Sequence, residues 1–300
     1  MKSYLRRFKT YRSLAFAKRF ILANNYIPKI SRPKTYNEKV LHRKKYSNAS
    51  KFSQYADKIL VKDHVEKLVS SKIVIPTLYT GESISVDLTN DLLKKHKGLV
   101  LKANHNSGPV YVIDDKISQN KLASIVEDLN SQLKVDYGVT KGETWYSQIE
   151  PKILIEERLY DENGANDLKD FKFHVFKQKS GEAKVVLHVD FDRNTNHTRS
   201  FFDENLNWLP FSLEKPCIHT DLKKPNNFEE MVVIARKLAE PFSYARVDLY
   251  NVSGKIYFGE MTFAHGSGCE KFSSIHYDKW LGSLWVFDDE NNPYQKKTNL

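Results

Sequence analysis

Near Ser70 the hydrophobic period of the chain changes, and that change limits the architectures open to it. Before it, Leu5, Phe8, Leu14, Ala17 and Ile21 recur at helical spacing, with Phe16 and Phe20 beside them, which predicts an amphipathic helix over residues 3–24. Pro28 and Pro33 interrupt the pattern. Thr35 followed by Glu38 forms a capping box that opens a second helix, and helical spacing continues over residues 56–68. Beyond Ser70 the apolar runs shorten. Residues 73–76 predict a short strand and 88–95 a helix. Residues 99–103 and 110–113 predict a hairpin around the loop 104–108, and 119–133 a helix. The second half predicts strands at 153–157, 171–177, 185–190, 246–250 and 255–260, with a helix at 228–238 and a turn at 251–254. A helical front followed by hairpins, not a regular alternation of strand and helix, predicts an α+β fold. The expected divisions are a helical segment 1–70, a small lobe 71–152 and a larger lobe 153–300.

The composition, 40% hydrophobic and 28% charged over 300 residues, supports a packed core and excludes a disordered chain. Lys and Arg exceed Asp and Glu by 47 to 37, a net charge of +10 that favours anionic partners. Arg6, Arg7, Lys9, Arg12, Lys18 and Arg19 concentrate charge at the front: either a solvated helix face or a helix that lies on a membrane surface. No run of about 18 apolar residues predicts a membrane span. Lys18 and Arg19 interrupt the apolar stretch behind the basic start, so no signal peptide is expected. Cys217 and Cys269 lie in no CxxC pattern, which suits a reducing cytoplasm.

Three elements carry candidate chemistry. In the first, Lys102 leaves an apolar strand on the same side as Val100, and Asn104, His105, Asn106, Ser107 and Gly108 follow. Backbone N–H groups of such a loop, with a nearby ammonium, can cradle phosphate; the plainer reading is a hairpin turn with a surface lysine. Neither GxxxxGK[ST] nor GxGxxG is present. In the second, alternation puts Arg246, Asp248 and Tyr250 on one face, and Phe258, Glu260 and Thr262 together on the facing strand. Two carboxylates and a hydroxyl suit a hard cation such as Mg²⁺, with Arg246 at an anionic transition state; the plainer reading is a cross-strand ion pair. In the third, Glu156 and Glu157 end one strand, and Lys172 sits between two phenylalanines of the next; surface charge is the plainer reading. His105 in its loop reads as incidental. His265, Ser267 and Gly268 would line an acceptor pocket. Arg193, His197 and Arg199 would bind an anionic sugar, although a solvated loop is the plainer reading. Asp190 and Asp192 form a DxD pair, read as a turn.

The order of these pieces resembles one family. RPKTYNEKV, ADKILVKDHV, IPTLYTGES, LVLKANHNSGPVYVIDDK, PKILIEERL, LKDFKFHVF and ARVDLYNVSGKIYFGEMTFAHGSG, with WLP between the last two, resemble the TupA-like subgroup of the ATP-grasp superfamily, named for a teichuronopeptide biosynthesis protein. The likeness runs over about residues 34–287. It implies two α+β lobes sandwiching ATP. It implies that Lys58 and Lys102 hold phosphates and that Asn104, Ser107 and Gly108 belong to a mobile loop closing over them. By the same resemblance, Glu156 and Glu157 lie near adenine and ribose, Lys172 adds a nucleotide contact, and Asp248 and Glu260 bind Mg²⁺. Thr262 stands where many ATP-grasp enzymes place a ligating Asn, and Arg246 would steady an acyl phosphate. The implied reaction is ATP-dependent amide formation between a sugar acid, such as a hexuronic acid of a bacterial surface polysaccharide, and an amino acid or small amine. It would take place in the cytoplasm, with the basic helix at the inner membrane face. A glycosyltransferase using Asp190 and Asp192, and a basic nucleic-acid-binding module, are the alternatives; no nucleic acid is expected, because the aromatics follow core patterns.

Overall fold

Thr35 opens its helix with both halves of the box. Its Oγ1 accepts from the Glu38 N–H at 3.1 Å, and the Glu38 carboxylate accepts from the N–H groups of Lys29, Lys34 and Thr35 at 2.8, 2.8 and 3.1 Å. The structure, a computed structural model, describes residues 9–160, 168, 170–192 and 195–286; Arg6, Arg7 and Arg193 lie outside them. Helix α1 (Lys9–Asn24) is followed by α2 (Tyr36–Tyr46), α3 (Ala49–Ala56) and α4 (Leu60–Leu68). The pattern at 56–68 does not run unbroken. Asp57 turns its carboxylate back onto the Ile59 and Leu60 N–H groups at 2.8 and 3.4 Å, ending α3 and starting α4. The strand expected at 73–76 does not form as such: Ile73 ends a single 3₁₀ turn (Ser71–Ile73), with Ser70 Oγ accepting from the Lys72 N–H, and the regular strand starts at Thr77.

The chain divides into two compact units, Met1–Asn48 with Asp167–Leu300, and Ala49–Asn166. These divisions replace those expected after residues 70 and 152. In the continuous unit, β1 (Thr77–Gly81), β4 (Ile153–Glu157), β2 (Gly98–Ala103) and β3 (Val110–Asp114) pair antiparallel in that order. The strand β4, assigned from sequence to the rear lobe, is therefore central here, hydrogen-bonded to both β1 and β2. Helices α5 (Val86–Leu93) and α6 (Gln119–Gln132) cover the face that carries Leu99, Leu101, Ile113, Ile153 and Ile155, and α7 (Tyr137–Lys141) is a short helix before β4. The other face carries Val100, Lys102, Leu154 and Glu156.

In the discontinuous unit a six-stranded antiparallel sheet runs β10-β9-β5-β6-β7-β8. Its strands are β5 (Asp170–Lys177), β6 (Ala183–Phe191), β7 (Thr198–Asp203), β8 (Trp208–Leu209), β9 (Tyr244–Val252) and β10 (Lys255–Thr262). Phe171, Phe173, Val247 and Leu249 point to the face under α8 (Phe228–Ala239), with Phe173 against Phe228 at 6.1 Å. Alternation sends Lys172, His174, His188, Asp190, Arg246 and Asp248 to the opposite face. At one end of that face, Tyr36 of α2 meets Tyr244 and Trp285, the residue that follows α9 (Ile275–Leu284). The strand expected at 185–190 forms as part of β6, whereas sequence reasoning reads the pair Asp190 and Asp192 as a turn and Arg193, His197 and Arg199 as a solvated loop. Instead Asp190 lies inside β6 and Arg199 inside β7, both buried and facing each other in register.

Candidate functional site

Each unit gathers a charged cluster on the sheet face not covered by its core helices. In the continuous unit, Glu156 on β4 bridges two lysines. Lys102 Nζ of β2 approaches Oε2 at 2.5 Å, and Lys62 Nζ of α4 approaches Oε1 at 2.6 Å. Lys62 also donates to the Ile75 carbonyl and Thr77 Oγ1. Burial works against a charged Glu156, but Lys102 and Lys62 override it and hold the carboxyl below its usual range. Burial pushes the Lys62 ammonium down, partly countered by Glu156. Val110 and Val112, on the same face as Lys102, are about half exposed at 53% and 54%, so this side of the hairpin is not covered by the unit's own core.

The loop after β2 is not built as expected. Asn104 spends its side chain on the fold: Nδ2 donates to Asp57 Oδ1 at 3.1 Å and to the Glu150 carbonyl at 3.0 Å, and Oδ1 accepts from the Lys152 N–H at 2.7 Å. Asn104, His105 and Asn106 are buried. Asn104 is thus an anchor for the loop and not a free phosphate ligand, because no polar atom of its side chain is left over. Ser107 is exposed, and the Gly108 N–H donates to Asn106 Oδ1 at 3.0 Å. Lys58 donates to the Asn106 carbonyl, which brings it to the same loop. Glu157 stands apart from Glu156, nearly half exposed, with His96 Nδ1 3.7 Å away.

In the discontinuous unit, Asp248 and Glu260 face each other in register on β9 and β10. The register shifts between Phe258 and Glu260, so Gly259 is a bulge. Phe258 pairs with Leu249 on the core side, and the expectation that Phe258 shares a face with Glu260 fails. Without that extra residue, alternation from Phe258 would bury Glu260 in the core; the bulge returns it beside Asp248. Arg246 grips both acids. Its Nε and Nη2 donate to Asp248 Oδ1 and Oδ2, each at 2.7 Å, and Nη2 also donates to Glu260 Oε1 at 2.8 Å. Burial pushes the Asp248 carboxyl up, and Arg246 opposes that shift. Thr262 Oγ1 lies 3.4 Å from Glu260 Oε1.

Further along the same face, Arg246 Nη1 donates to His265 Nδ1 at 2.5 Å. A guanidinium cannot accept, so Nδ1 carries the lone pair and His265 is neutral with its proton on Nε2. Lys172 pairs with Asp170 and lies 3.5 Å from Asp190 Oδ2. Asp190 Oδ1 gathers His188 Nε2, His197 Nε2 and Arg199 Nε at 3.1, 3.0 and 2.8 Å. Despite burial, these partners hold Asp190 far below the usual carboxylate range. With both oxygens occupied, and Asp192 outside the strand, the pair is not the open DxD site of a nucleotide-sugar enzyme. Arg199 Nη1 also donates to Glu270 Oε2 at 2.9 Å.

Of the residues singled out from sequence, Lys102 and Glu156 meet, as do Lys58, Ser107 and Gly108 around one loop; Lys172, Arg246, Asp248 and Glu260 share one sheet face. Sequence reasoning missed Lys62, His174, His188 and Glu270. The period-two runs Lys172-Phe173-His174 and His188-Val189-Asp190 signal that these histidines share a face with the charges. Nothing local marks Lys62. As a donor set, Asp248, Glu260 and the Thr262 hydroxyl offer only hard oxygen atoms, and Glu260 is 36% exposed, so the chemistry fits Mg²⁺.

The family described as TupA-like ATPgrasp matches residues 38–286. No curated protein matches the sequence significantly. Among solved structures, D-alanyl-alanine synthetase A from Vibrio cholerae O1 biovar eltor str. N16961 is similar at 12% identity and TM-score 0.44, over 72% of this chain and 57% of that one. D-Alanine-D-alanine ligase from Helicobacter pylori is similar at 16% identity and TM-score 0.40, over 72% and 55%. The Bacillus anthracis D-alanine–D-alanine ligase complexed with ATP is similar at 15% identity and TM-score 0.43, over 80% and 66%. The chain therefore spans little more than half the length of the first two.

Proposed function

The chain belongs to the TupA-like ATP-grasp family, and from that premise we propose that it is an ATP-dependent carboxylate–amine ligase. The observation that carries this reading is the Asp248–Glu260 register pair with Arg246 across both acids. A substrate carboxylate oxygen attacks the γ-phosphorus of ATP, ADP leaves, and an acyl phosphate forms. An amine nitrogen then attacks the acyl carbon, phosphate leaves, and the surplus proton passes to solvent. A carboxylate is a poor electrophile, so the phosphoryl group supplies the leaving group. The protein's task is alignment and charge neutralisation.

In this reading Lys58, Lys102 and Lys172 hold phosphate oxygens, the backbone at Ser107 and Gly108 cradles them, and Glu156 and Glu157 contact adenine and ribose. Asp248 and Glu260 would hold Mg²⁺, which when bound supplies charge neutralisation for the phosphates. Arg246 steadies the acyl phosphate. Lys58 donates to a carbonyl, and Lys102, Lys172 and Arg246 are held by carboxylates, so phosphate must replace partners already present. The substrate is a hexuronic acid of a bacterial surface polysaccharide, joined to an amino acid or small amine; the net charge of +10 suits an acidic glycan. ATP supply places the reaction in the cytoplasm. Leu14, Leu22 and Ile27 stand exposed beside Lys18 and Arg19, which supports contact with an anionic inner membrane face. Among the described residues, no helix is long and apolar enough to cross a membrane.

The test is ADP release with ATP and Mg²⁺ across a panel of uronic acids, free or nucleotide-linked, each with a panel of amines. Turnover that needs both a carboxylate and an amine, and that Glu260→Gln abolishes with the fold intact, is the expected result. Turnover indifferent to both, or release of UDP or GDP from a sugar donor, would overturn the reading.

A further inference from the structure

Three histidines from separate elements converge under the polar sheet face. His174 comes from β5, His188 from β6, and His265 from the turn after β10; all three are buried, the first two completely. One ring nitrogen of each lies within 4.8 Å of the others. His174 Nε2 and His188 Nδ1 are 3.4 Å apart. That is long for a hydrogen bond, whose heavy-atom distance runs to about 3.2 Å. As a hydrogen bond it is weak, and the same spacing matches the edge of a tetrahedron whose corners stand about 2.0–2.1 Å from a central zinc. His265 Nε2 has no hydrogen-bond partner; Glu270 Oε2 is 3.0 Å away but not aligned as an acceptor.

The outer contacts are those that orient ligating imidazoles. His188 places its other nitrogen 3.1 Å from Asp190 Oδ1, which fixes the proton on Nε2 and turns the Nδ1 lone pair toward His174. His174 places Nδ1 3.0 Å from the Tyr244 hydroxyl, which is itself 2.6 Å from that of Tyr36. Burial holds all three rings below the usual histidine range, which favours the neutral form; in His265 the lone pair faces Arg246, so its tautomer must change before it ligates.

We propose that His174, His188 and His265 bind a transition-metal cation of the zinc type. Imidazole nitrogens select zinc-like ions, whereas the oxygen pair Asp248–Glu260 selects magnesium, so the two sites take different cations. Closing the trio on one ion draws the third ring in from within 4.8 Å to about 3.4 Å, a movement of up to about 1.4 Å. Binding through His265 Nε2 displaces the proton there to Nδ1, and the Arg246 contact at Nδ1 must then open. The ion would tie β5, β6 and the turn after β10 together behind Arg246. This proposal does not depend on the ligase reading.

The test uses the full chain, stripped with chelator and titrated with Co²⁺. The expected result is the intense visible absorption of tetrahedral cobalt, saturating near one ion per chain, displaced by Zn²⁺ and untouched by excess Mg²⁺. Glu260→Gln leaves that absorption unchanged. His174→Gln and His188→Gln weaken binding by more than the about 10–100-fold that loss of an outer-shell partner costs. Those variants each remove a fully buried ring, so His188→Cys is the deciding one: it keeps a ligand, so it should retain cobalt and add a sulfur-to-metal charge-transfer band. No tetrahedral cobalt spectrum in the parent chain, an unchanged spectrum in the folded glutamine variants, or no sulfur band in a folded His188→Cys overturns the site.

Discussion

Glu156 is the residue on which the charged cluster of the continuous unit turns, because it pairs with both Lys62 and Lys102. All three side chains are largely buried, so the pairings are stronger than surface ion pairs and their loss is felt. Glu156→Gln keeps the shape but leaves two ammoniums facing each other. It should lower stability by about 1–3 kcal/mol at pH 7, read by urea unfolding. The folded carboxyl lies below its unfolded value, so this contribution is present above the unfolded value and fades as pH falls through the folded one. A loss that did not shrink in acid would mean that packing, not charge, holds the cluster. Lys102→Ala should instead leave Glu156 paired with Lys62 and weaken ATP binding about tenfold or more, the loss of one charged hydrogen bond; unchanged affinity by calorimetry would move the phosphate site elsewhere. Lys102 was legible in the sequence as the one charge in an apolar strand. Lys62 was not, because a helical lysine announces its partner only once the helix has packed beside the strand that carries Glu156.

At the level of single elements, local chemistry was readable and register was not. Thr35 and Glu38 are three residues apart, so the capping box could be read directly, as could the β2–β3 hairpin from its two apolar runs. The bulge at Gly259 could not, since strand alternation read from Phe258 gives no warning that one residue will be left out of the ladder. The pairing of Asp190 with Arg199 was missed for a related reason: a polar residue such as Arg199 that pairs across a sheet looks like a loop residue until its partner is known. The bulge makes a sharp prediction. A Cβ at Gly259 would meet the Asp248 carbonyl oxygen and Tyr250 Cε2, each at 3.1 Å, tighter than ordinary contact. Gly259→Val must push β9 and β10 apart where Asp248 faces Glu260. The expected outcome is a stability loss of about 1–3 kcal/mol together with a raised Mg²⁺ requirement for turnover. Lost stability with an unchanged Mg²⁺ requirement would show that the bulge serves the fold and not the carboxylate pair.

For the whole molecule, the buried histidines and the net charge act in the same direction as pH falls. His174, His188 and His265 are held neutral in the folded chain, whereas in the unfolded chain they titrate near pH 6.5. Below that value the unfolded state binds protons that the folded state refuses, so stability falls with pH, by about 1.4 kcal/mol per pH unit for each histidine and roughly 4 for the three. Added protons also raise a charge already at +10, and self-repulsion steepens the fall. Asp190 and Glu270 do not blunt it, because both are held far below the usual carboxylate range and stay ionised through this window. Chelator-treated protein should therefore be at its most stable above about pH 7 and lose stability steeply between about pH 6.5 and 5, before ordinary carboxylates titrate. Urea midpoints measured across that range on the parent chain and on His174→Gln separate the causes. A shallower slope in the variant assigns the fall to the buried rings. Equal slopes would leave net charge as the whole explanation, and a flat profile down to pH 5 would mean that the rings take up protons inside the fold.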